Sequence, residues 1–460
     1  MVYRLVKIID TTLRDAHQSL IATRLSQDDA RDIAEIIDRA GFYSLEVWGG
    51  ATFDVDVRYL KEDPWSRLKK IREVVKKTKL QMLLRGRNLV GYRKYPIDVS
   101  KAFIEKAYEN GIDIFRIFDA LNDIDNIAEV IKIAKRTGAI VQGALSYTIS
   151  PIHTVDYYVK LAESYLEAGA DLITIKDMAG LLDPSTARSL ISRIKKELKV
   201  KVNIHTHDSC GLSVATYLAS IEAGADFIDT SIYPLAFGTA QPAIQTVYNI
   251  LLKKDRKKLK MSEIEKASRH IDSLLKKRYS QLYNPKLQVP DPRAMIHQIP
   301  GGMLSNMIAQ LNELQALDRL EEVLMEIPKI RKELGWPPLV TPMSQIVGAQ
   351  AVLNVISGER YSIVVKELVD YVKGLYGKPP APIDKNVAEI ILAGDGGLPE
   401  KSLSLIECRE YMKKLLNDPR EEDVITFCLF PKEAEAFFKE KFVSVSPISQ
   451  LSAQKQLEKQ

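Results

Sequence analysis

At 460 residues the chain is too long for one ordinary core and predicts two units, or a barrel with an extension. Hydrophobic residues make up 46% and charged residues 27%, the balance of a soluble globular protein. Lys+Arg number 65 against 60 Asp+Glu, and the basic residues sit among acidic ones on helical faces. That excess is too small to predict a nucleic-acid or other polyanionic partner.

The first residues, MVYRLVKIID, lack a basic segment followed by an apolar one, so no secretory leader is expected. No apolar run approaches the roughly 18 residues that a membrane span needs. The expected location is the cytoplasm. The three cysteines, Cys210, Cys408 and Cys428, form no CxxC pair. Neither a disulfide framework nor a thiolate zinc site is expected from them.

Short apolar runs alternate with amphipathic stretches through residue 250. The expected strands are 5–9, 44–48, 81–85, 114–118, 140–145, 172–176, 202–206 and 227–232. Between them, stretches such as DDARDIAEIIDRAG (28–41) carry apolar residues at helical spacing. Ser26, Thr154 and Asp183 can cap the helices that follow, and Pro64 and Pro184 suit first turns. Gly41, Gly111, Gly138, Gly169 and Gly224 each stand between a helical run and a strand, where a left-handed residue ends a helix. The junctions RAGFYSLEV, ENGIDIFRIF, EAGADLITIK and EAGADFIDTS repeat one pattern. Eight such units predict an α/β fold, a (β/α)8 TIM barrel over about 1–290. A doubly wound open sheet ranks second, because DTTLRDAHQS (10–19) has no glycine for a phosphate turn.

Beyond residue 250 the rhythm changes. Residues 253–280 are charged and helical, and a Pro-rich stretch covers 284–302. We expect a mainly helical C-terminal domain over 295–460 that covers the barrel mouth, with loops at 335–345 and 377–385 and a polar tail from about 440.

Barrel enzymes place their chemistry at the C-terminal strand ends. Asp15 follows the first strand, Lys176 ends the sixth, and His205 and His207 end the seventh. Residues two apart on a strand share a face, so both imidazoles can reach one ion. A carboxylate with two imidazoles suits Zn, Mn, Co or Fe with positions left for substrate. Lys176 admits three readings: a solvated structural lysine, a Schiff-base former, or a neutral amine that takes up carbon dioxide as a carbamate. Gln18 lies one helical turn after Asp15. Arg85 ends the third strand, where a guanidinium suits a substrate carboxylate, and Tyr92 follows seven residues on. Arg14, His17 and Asp54 are expected one layer further out.

Together, DTTLRDAHQS, LEVWGGATFDV (45–55), LLRGRNLVGY (83–92), ITIKDMAGLL (173–182), HTHDSCG (205–211), IPGG (299–302) and VTPMSQIVG (340–348) resemble the carboxyltransferase module of biotin-dependent carboxylases. That family includes pyruvate carboxylase and its B subunit, the oxaloacetate decarboxylase α subunit and the transcarboxylase 5S subunit. The resemblance implies that Asp15, His205, His207 and a carbamylated Lys176 hold a divalent metal (Zn, Mn or Co). It implies that Gln18 and Arg85 hold a keto acid and that Tyr92 lines the biotin site. Asp54 and Ser344 fall with the substrate and biotin contacts, and Thr341 moves a proton between biotin and the substrate methyl. Pyruvate and oxaloacetate are the implied substrates, and a homodimer the implied assembly. Two features depart from the multifunctional pyruvate carboxylases: no Met-Lys-Met biotin acceptor is present, and Gln345 replaces a lysine. Biotin is therefore expected on a biotin carboxyl carrier protein or biotin carboxylase subunit, or on a missing domain. The alternatives are a biotin-independent metallolyase or acyl-CoA-condensing barrel, and a Schiff-base aldolase using Lys176.

Overall fold

The computed structural model describes residues 5–393 and 402–445. Eight strands, β1 (Lys7–Asp10), β2 (Ser44–Trp48), β3 (Lys79–Arg85), β4 (Ile114–Phe118), β5 (Ile140–Ser146), β6 (Leu172–Asp177), β7 (Lys201–Thr206) and β8 (Phe227–Thr230), close into a barrel in chain order. Every neighbouring pair is parallel, and β1 closes against β8 with Ile9 opposite Asp229. The outer helices are α1 (Gln27–Ile37), α2 (Pro64–Val74), α3 (Ile97–Glu109), α4 (Ile124–Thr137), α5 (Val155–Glu167), α6 (Pro184–Glu197), α7 (Ser213–Glu222) and α8 (Met261–Lys277). The (β/α)8 architecture is thus the one expected from the sequence.

Local chemistry sets the element ends. The side chains of Ser26 and Thr154 accept backbone N–H groups of Asp29 and Tyr157, and Asp183 accepts those of Ser185 and Thr186. All five junction glycines have positive φ, from 92° at Gly138 to 110° at Gly169. At Gly41 space adds to conformation, since a Cβ there would lie 2.0 Å from the Lys258 carbonyl oxygen.

Aliphatic side chains fill the layer between strands and helices. The barrel interior is different, being crossed by a belt of fully buried polar groups: Glu46, Gln81, Arg116, Gln142, Thr174, Asn203 and Asp229. Arg116 donates to Gln142 Oε1 at 2.9 Å, forms a two-pronged pair with Asp229, and reaches Glu46 at 3.0 Å. Gln81 donates to Glu46 at 2.7 Å and accepts from Gln142 at 2.8 Å. Two carboxylates around one guanidinium are tolerable in a dry interior because the remaining lone pairs are also satisfied.

A second core forms beyond the barrel. It gathers α9 (Gly301–Glu313), α10 (Leu320–Glu333), α11 (Met343–Ser357), α12 (Lys366–Val372) and α13 (Lys385–Ala393), with Leu121 from the barrel. The last helices, α14 (Leu405–Leu415), α15 (Glu421–Leu429) and α16 (Pro431–Val445), return to the first core. There Phe430 stacks on Phe53, Trp65 Nε1 donates to Thr426, and Tyr95 donates to the Leu429 carbonyl at 2.6 Å. The expected polar tail begins inside α16, and from residue 446 it lies outside the described residues. Cys408 and Cys428 are joined as a disulfide between α14 and α15, with Cα atoms 5.6 Å apart. The expectation that these cysteines stay unpaired is corrected: a spacing of 20 residues shows no motif, and only the helical hairpin makes them neighbours. Cys210 is free and buried.

Replacing Arg116 by Met should cost about 3–5 kcal/mol at neutral pH, because it leaves the buried Asp229 without its guanidinium and takes one of two from Glu46. Burial pushes the Asp229 carboxyl up, but Arg116 and then His205 outweigh it and hold it at about 2. Its unfolded value is about 3.9. This stabilisation is therefore complete above pH ~4 and is lost as pH falls towards 2. Urea unfolding of wild type and Arg116→Met should show a gap that narrows below pH 4. A gap that is small at pH 7, or that widens in acid, contradicts the assignment.

Candidate metal and substrate site

The turn after β1, Thr12–Ala16, is a single wide π-helical turn. It is anchored at both ends. Thr12 donates through its N–H and hydroxyl to Asp10, and accepts from the Ile232 N–H at 2.9 Å. Asp15 is thereby turned into the barrel mouth with its side chain almost fully buried. Its Oδ2 lies 3.0 Å from His205 Nε2 and 3.1 Å from His207 Nε2. One ligand atom from each of the three residues falls within 4.8 Å of the others.

Hydrogen bonds behind the imidazoles determine which nitrogens face inward. His205 Nδ1 is 2.7 Å from Asp229 Oδ2, and His207 Nδ1 is 2.6 Å from the Thr239 carbonyl. A carbonyl only accepts, so Nδ1 of His207 carries the proton and Nε2 presents a lone pair. That Nε2 is buried and has no hydrogen-bond partner among the described residues. Two imidazole lone pairs therefore converge on a carboxylate oxygen. Such a set of acceptors is stable only around a cation or shared protons, and the donor types suit a divalent metal.

The surrounding charges keep Asp15 ionised. Burial raises its pKa, but the Arg14 guanidinium beside it holds the carboxyl well below its usual range. Arg14 donates to Asp15 at 2.7 Å and to Glu46 at 2.6 Å, joining the ligand carboxylate to the barrel belt. His17 is buried nearby; burial, then Arg67 and Arg14, push it down to about 3, so it is neutral.

Lys176 pairs in register with His205 on the neighbouring strand and is 1% exposed. Burial, partly opposed by Asp15, pushes its ammonium down to about 8. A tenth or so of the side chain is then the neutral amine at pH 7, far more than for an ordinary lysine. Its Nζ stands 5.4 Å from the centre of the Phe118 ring.

Two adjoining cavities hold most of the predicted site residues. One, about 60 Å³, is lined by Arg14, Asp15, Gln18, Arg85, Tyr92, Phe118, Lys176 and Thr341 among others. The other, about 380 Å³, is lined by Asp15, Gln18, His207, Thr239, Met303, Thr341, Ser344 and Gln345 among others. Asp15, Gln18 and Thr341 belong to both. The Arg85 guanidinium lies 5.0 Å above Tyr92 and 5.8 Å from Phe118, and is tied to the Gly91 carbonyl. Its Nε is buried without a hydrogen-bond partner among the described residues. A third, larger cavity of about 620 Å³ opens outward between α9, α11 and α12 and shares Tyr92, Ser344 and Gln345. Asp54 is not among the lining residues; it is paired with Arg58 one turn along its own helical segment. Arg87 is likewise turned away, donating to the Tyr95 carbonyl at 3.0 Å.

Sequence reasoning missed Glu46, Arg116, Asp229, Thr239 and Gln241. The first three carry a signal: each is a charged residue in the middle of an apolar strand, in SLEVW, IFRIF and FIDTSI. Thr239 and Gln241 lie in a loop and carry none. Asp229→Asn should weaken Mn²⁺ or Zn²⁺ binding about 10–100-fold, because His205 loses the carboxylate that orients it. Calorimetric titration of chelator-stripped protein measures this, and an unchanged affinity would remove Asp229 from its orienting role.

Residues 5–271 match the HMGL-like family, and residues 294–460 match the conserved carboxylase domain family. The chain is 51% identical over 443 residues to the B subunit of pyruvate carboxylase from Methanocaldococcus jannaschii, spanning 95% of this chain and 78% of that protein. It is 44% identical over 452 residues to the 2-oxoglutarate carboxylase large subunit of Hydrogenobacter thermophilus, spanning 94% and 68%. It is 41% identical to the methylmalonyl-CoA carboxyltransferase 5S subunit of Propionibacterium freudenreichii subsp. shermanii, spanning 95% and 88%. The solved carboxyl transferase domain from Rhizobium etli pyruvate carboxylase, with pyruvate and biocytin, superimposes with a TM-score of 0.90 at 32% identity, covering 97% of this chain and 79% of that one. With this barrel and these relatives, the chain belongs to the carboxyltransferase family of biotin-dependent carboxylases.

Proposed function

We propose that the chain is a metal-dependent carboxyltransferase that interconverts pyruvate and oxaloacetate using biotin carried by a partner. The observation that carries this reading is the convergence of Asp15, His205 and His207 beside Lys176, in cavities that Arg85 and Thr341 also line. Asp15, His205, His207 and a carbamate on Lys176 would hold the metal, with Zn, Mn or Co all compatible. When bound, the cation supplies positive charge beside the substrate keto oxygen as the enolate forms.

The chain's own groups do the rest. Arg85, braced by two aromatic rings, takes the substrate carboxylate, and Gln18 sits on the same wall to fix the keto acid. Thr341, common to both cavities, accepts the proton released when the methyl C–H bond breaks and passes its own hydroxyl proton towards biotin. In the same step the N–carboxyl bond of carboxybiotin would break, its electron pair staying on the nitrogen that takes the Thr341 proton, while the C–H electron pair forms the new bond to the released carboxyl carbon. In the reverse direction the carboxyl leaves the substrate and the methyl regains a proton. Tyr92 and Ser344 form the biotin side, where the 620 Å³ cavity gives a route in from solvent, while Asp54 stands behind this wall, paired with Arg58. The unit over 1–290 carries the metal ligands, and the unit over 295–460 adds Thr341 and Ser344 at its mouth. Among the described residues no helix is long and apolar enough to cross a membrane. The reading extends to a cytoplasmic homodimer served by a biotin carboxyl carrier protein or biotin carboxylase subunit.

Purified chain with free biotin should convert oxaloacetate to pyruvate. Thr341→Ala should bind substrate normally and lose at least about 100-fold in turnover, as general acid–base groups do; normal turnover would take Thr341 out of the mechanism. Metal uptake by stripped protein should rise on adding bicarbonate at pH 8, and Lys176→Met should abolish that response. Bicarbonate-independent uptake would leave Lys176 as an uncarbamylated side chain.

A further inference from the structure

Gln241 belongs to none of the motifs above, yet it is fully buried against the ligand set. Its Nε2 donates to Asp15 Oδ2 at 2.8 Å and lies 3.4 Å from His205 Nε2. The backbone is pinned, since the Gln241 carbonyl accepts from the Ser231 hydroxyl at 2.9 Å and from the Phe237 N–H at 2.8 Å. The other end of the amide meets Thr11, whose Oγ1 is 2.7 Å from Gln241 Oε1 and 3.0 Å from the Thr230 carbonyl.

A hydroxyl has one proton, so Thr11 donates to only one of these two oxygens at a time. That leaves two complete hydrogen-bonding schemes. In the first, Thr11 donates to Oε1 and the amide N–H donates to Asp15. In the second, a half turn of the terminal torsion exchanges the two amide ends. Nε2 then donates to Thr11 Oγ1, Thr11 donates to Thr230, and Oε1 faces Asp15 Oδ2 and His205 Nε2. The two ends are nearly equal in size, so neighbours need not move. The second scheme brings an amide oxygen to a carboxylate oxygen and an imidazole lone pair. A cation bound between them makes that arrangement favourable.

We propose that Gln241 is an additional oxygen ligand of the metal centre, delivered by an amide flip that Thr11 permits and that cation binding drives. The proposal rests on Asp15, His205 and His207 being the primary ligands.

Calorimetric titration of chelator-stripped full chain with Mn²⁺ tests it, with thermal melts confirming that each variant is folded. Gln241→Met, which has no oxygen, should bind about 10–100-fold more weakly than wild type. Gln241→Glu, which keeps an oxygen in place, should bind as tightly as wild type or more so at pH 8. His207→Ala is the control for the centre itself and should bind far more weakly than either. Should Gln241→Met fail to fold, Gln241→Asn, one methylene shorter, carries the same expectation. If both Gln241 variants bind within threefold of wild type while His207→Ala does not, the ligand role of Gln241 is overturned and the centre stands. If Met and Glu weaken binding equally, the N–H rather than the oxygen matters, and the proposal is overturned as well. If His207→Ala binds normally, the centre is misassigned and both readings fall.

Discussion

The site depends on one buried carboxylate, Asp229. It takes Arg116 on one side and His205 Nδ1 on the other. The first contact makes a charged barrel interior tolerable. The second presents the His205 Nε2 lone pair to Asp15. Burial alone would push both Asp229 and Glu46 up, but Arg116 and Arg14 reverse this and keep both ionised. The polar belt is therefore both the barrel's filling and the electrostatic floor of the site. An aliphatic filling of equal volume would serve the fold but would leave His205 free to turn.

The mouth is built by parts of the chain far apart in sequence. The second core presents Thr341, Ser344 and Gln345 at the start of α11, while a small apolar cluster of Phe118, Ala120, Ala144 and Val340 holds that start against the strand ends. The last three helices do something else. They pack on Trp65 and Phe53 and pair Glu433 with Arg58, which in turn holds Asp54. One wall of the mouth is thus braced from behind by the C-terminal hairpin. This division explains why Asp54 stands back from the cavities while its segment still shapes them.

Much of this was legible in the sequence because the barrel repeats one local pattern. β2 and β4 run over the residues their apolar runs predicted, and five glycine junctions mark the ends of the helices before them, since few other residues adopt the required φ. Asp15, Lys176, His205 and His207 could be placed because strand ends converge in a barrel. What could not be read depends on long-range contacts. The single charges in SLEVW, IFRIF and FIDTSI mark the belt, but nothing local says that Arg116 lies between Glu46 and Asp229. Gln241 and Thr239 reach the site through a loop of no regular period. Thr341 precedes a proline and reads as a turn residue; only the family resemblance lifts it. The Cys408–Cys428 bridge and the return of α14–α16 to the barrel both follow from tertiary packing that helical periodicity does not encode.

The central claim is that Asp15, His205 and His207 enclose one cation beside a modified Lys176. Anomalous diffraction from crystals grown with Mn²⁺ and bicarbonate tests it most directly. A single strong peak is expected within coordination distance of all three side chains, with continuous density from Lys176 Nζ to an oxygen at the ion. A peak elsewhere in the barrel, or none at this point under saturating metal, would contradict it.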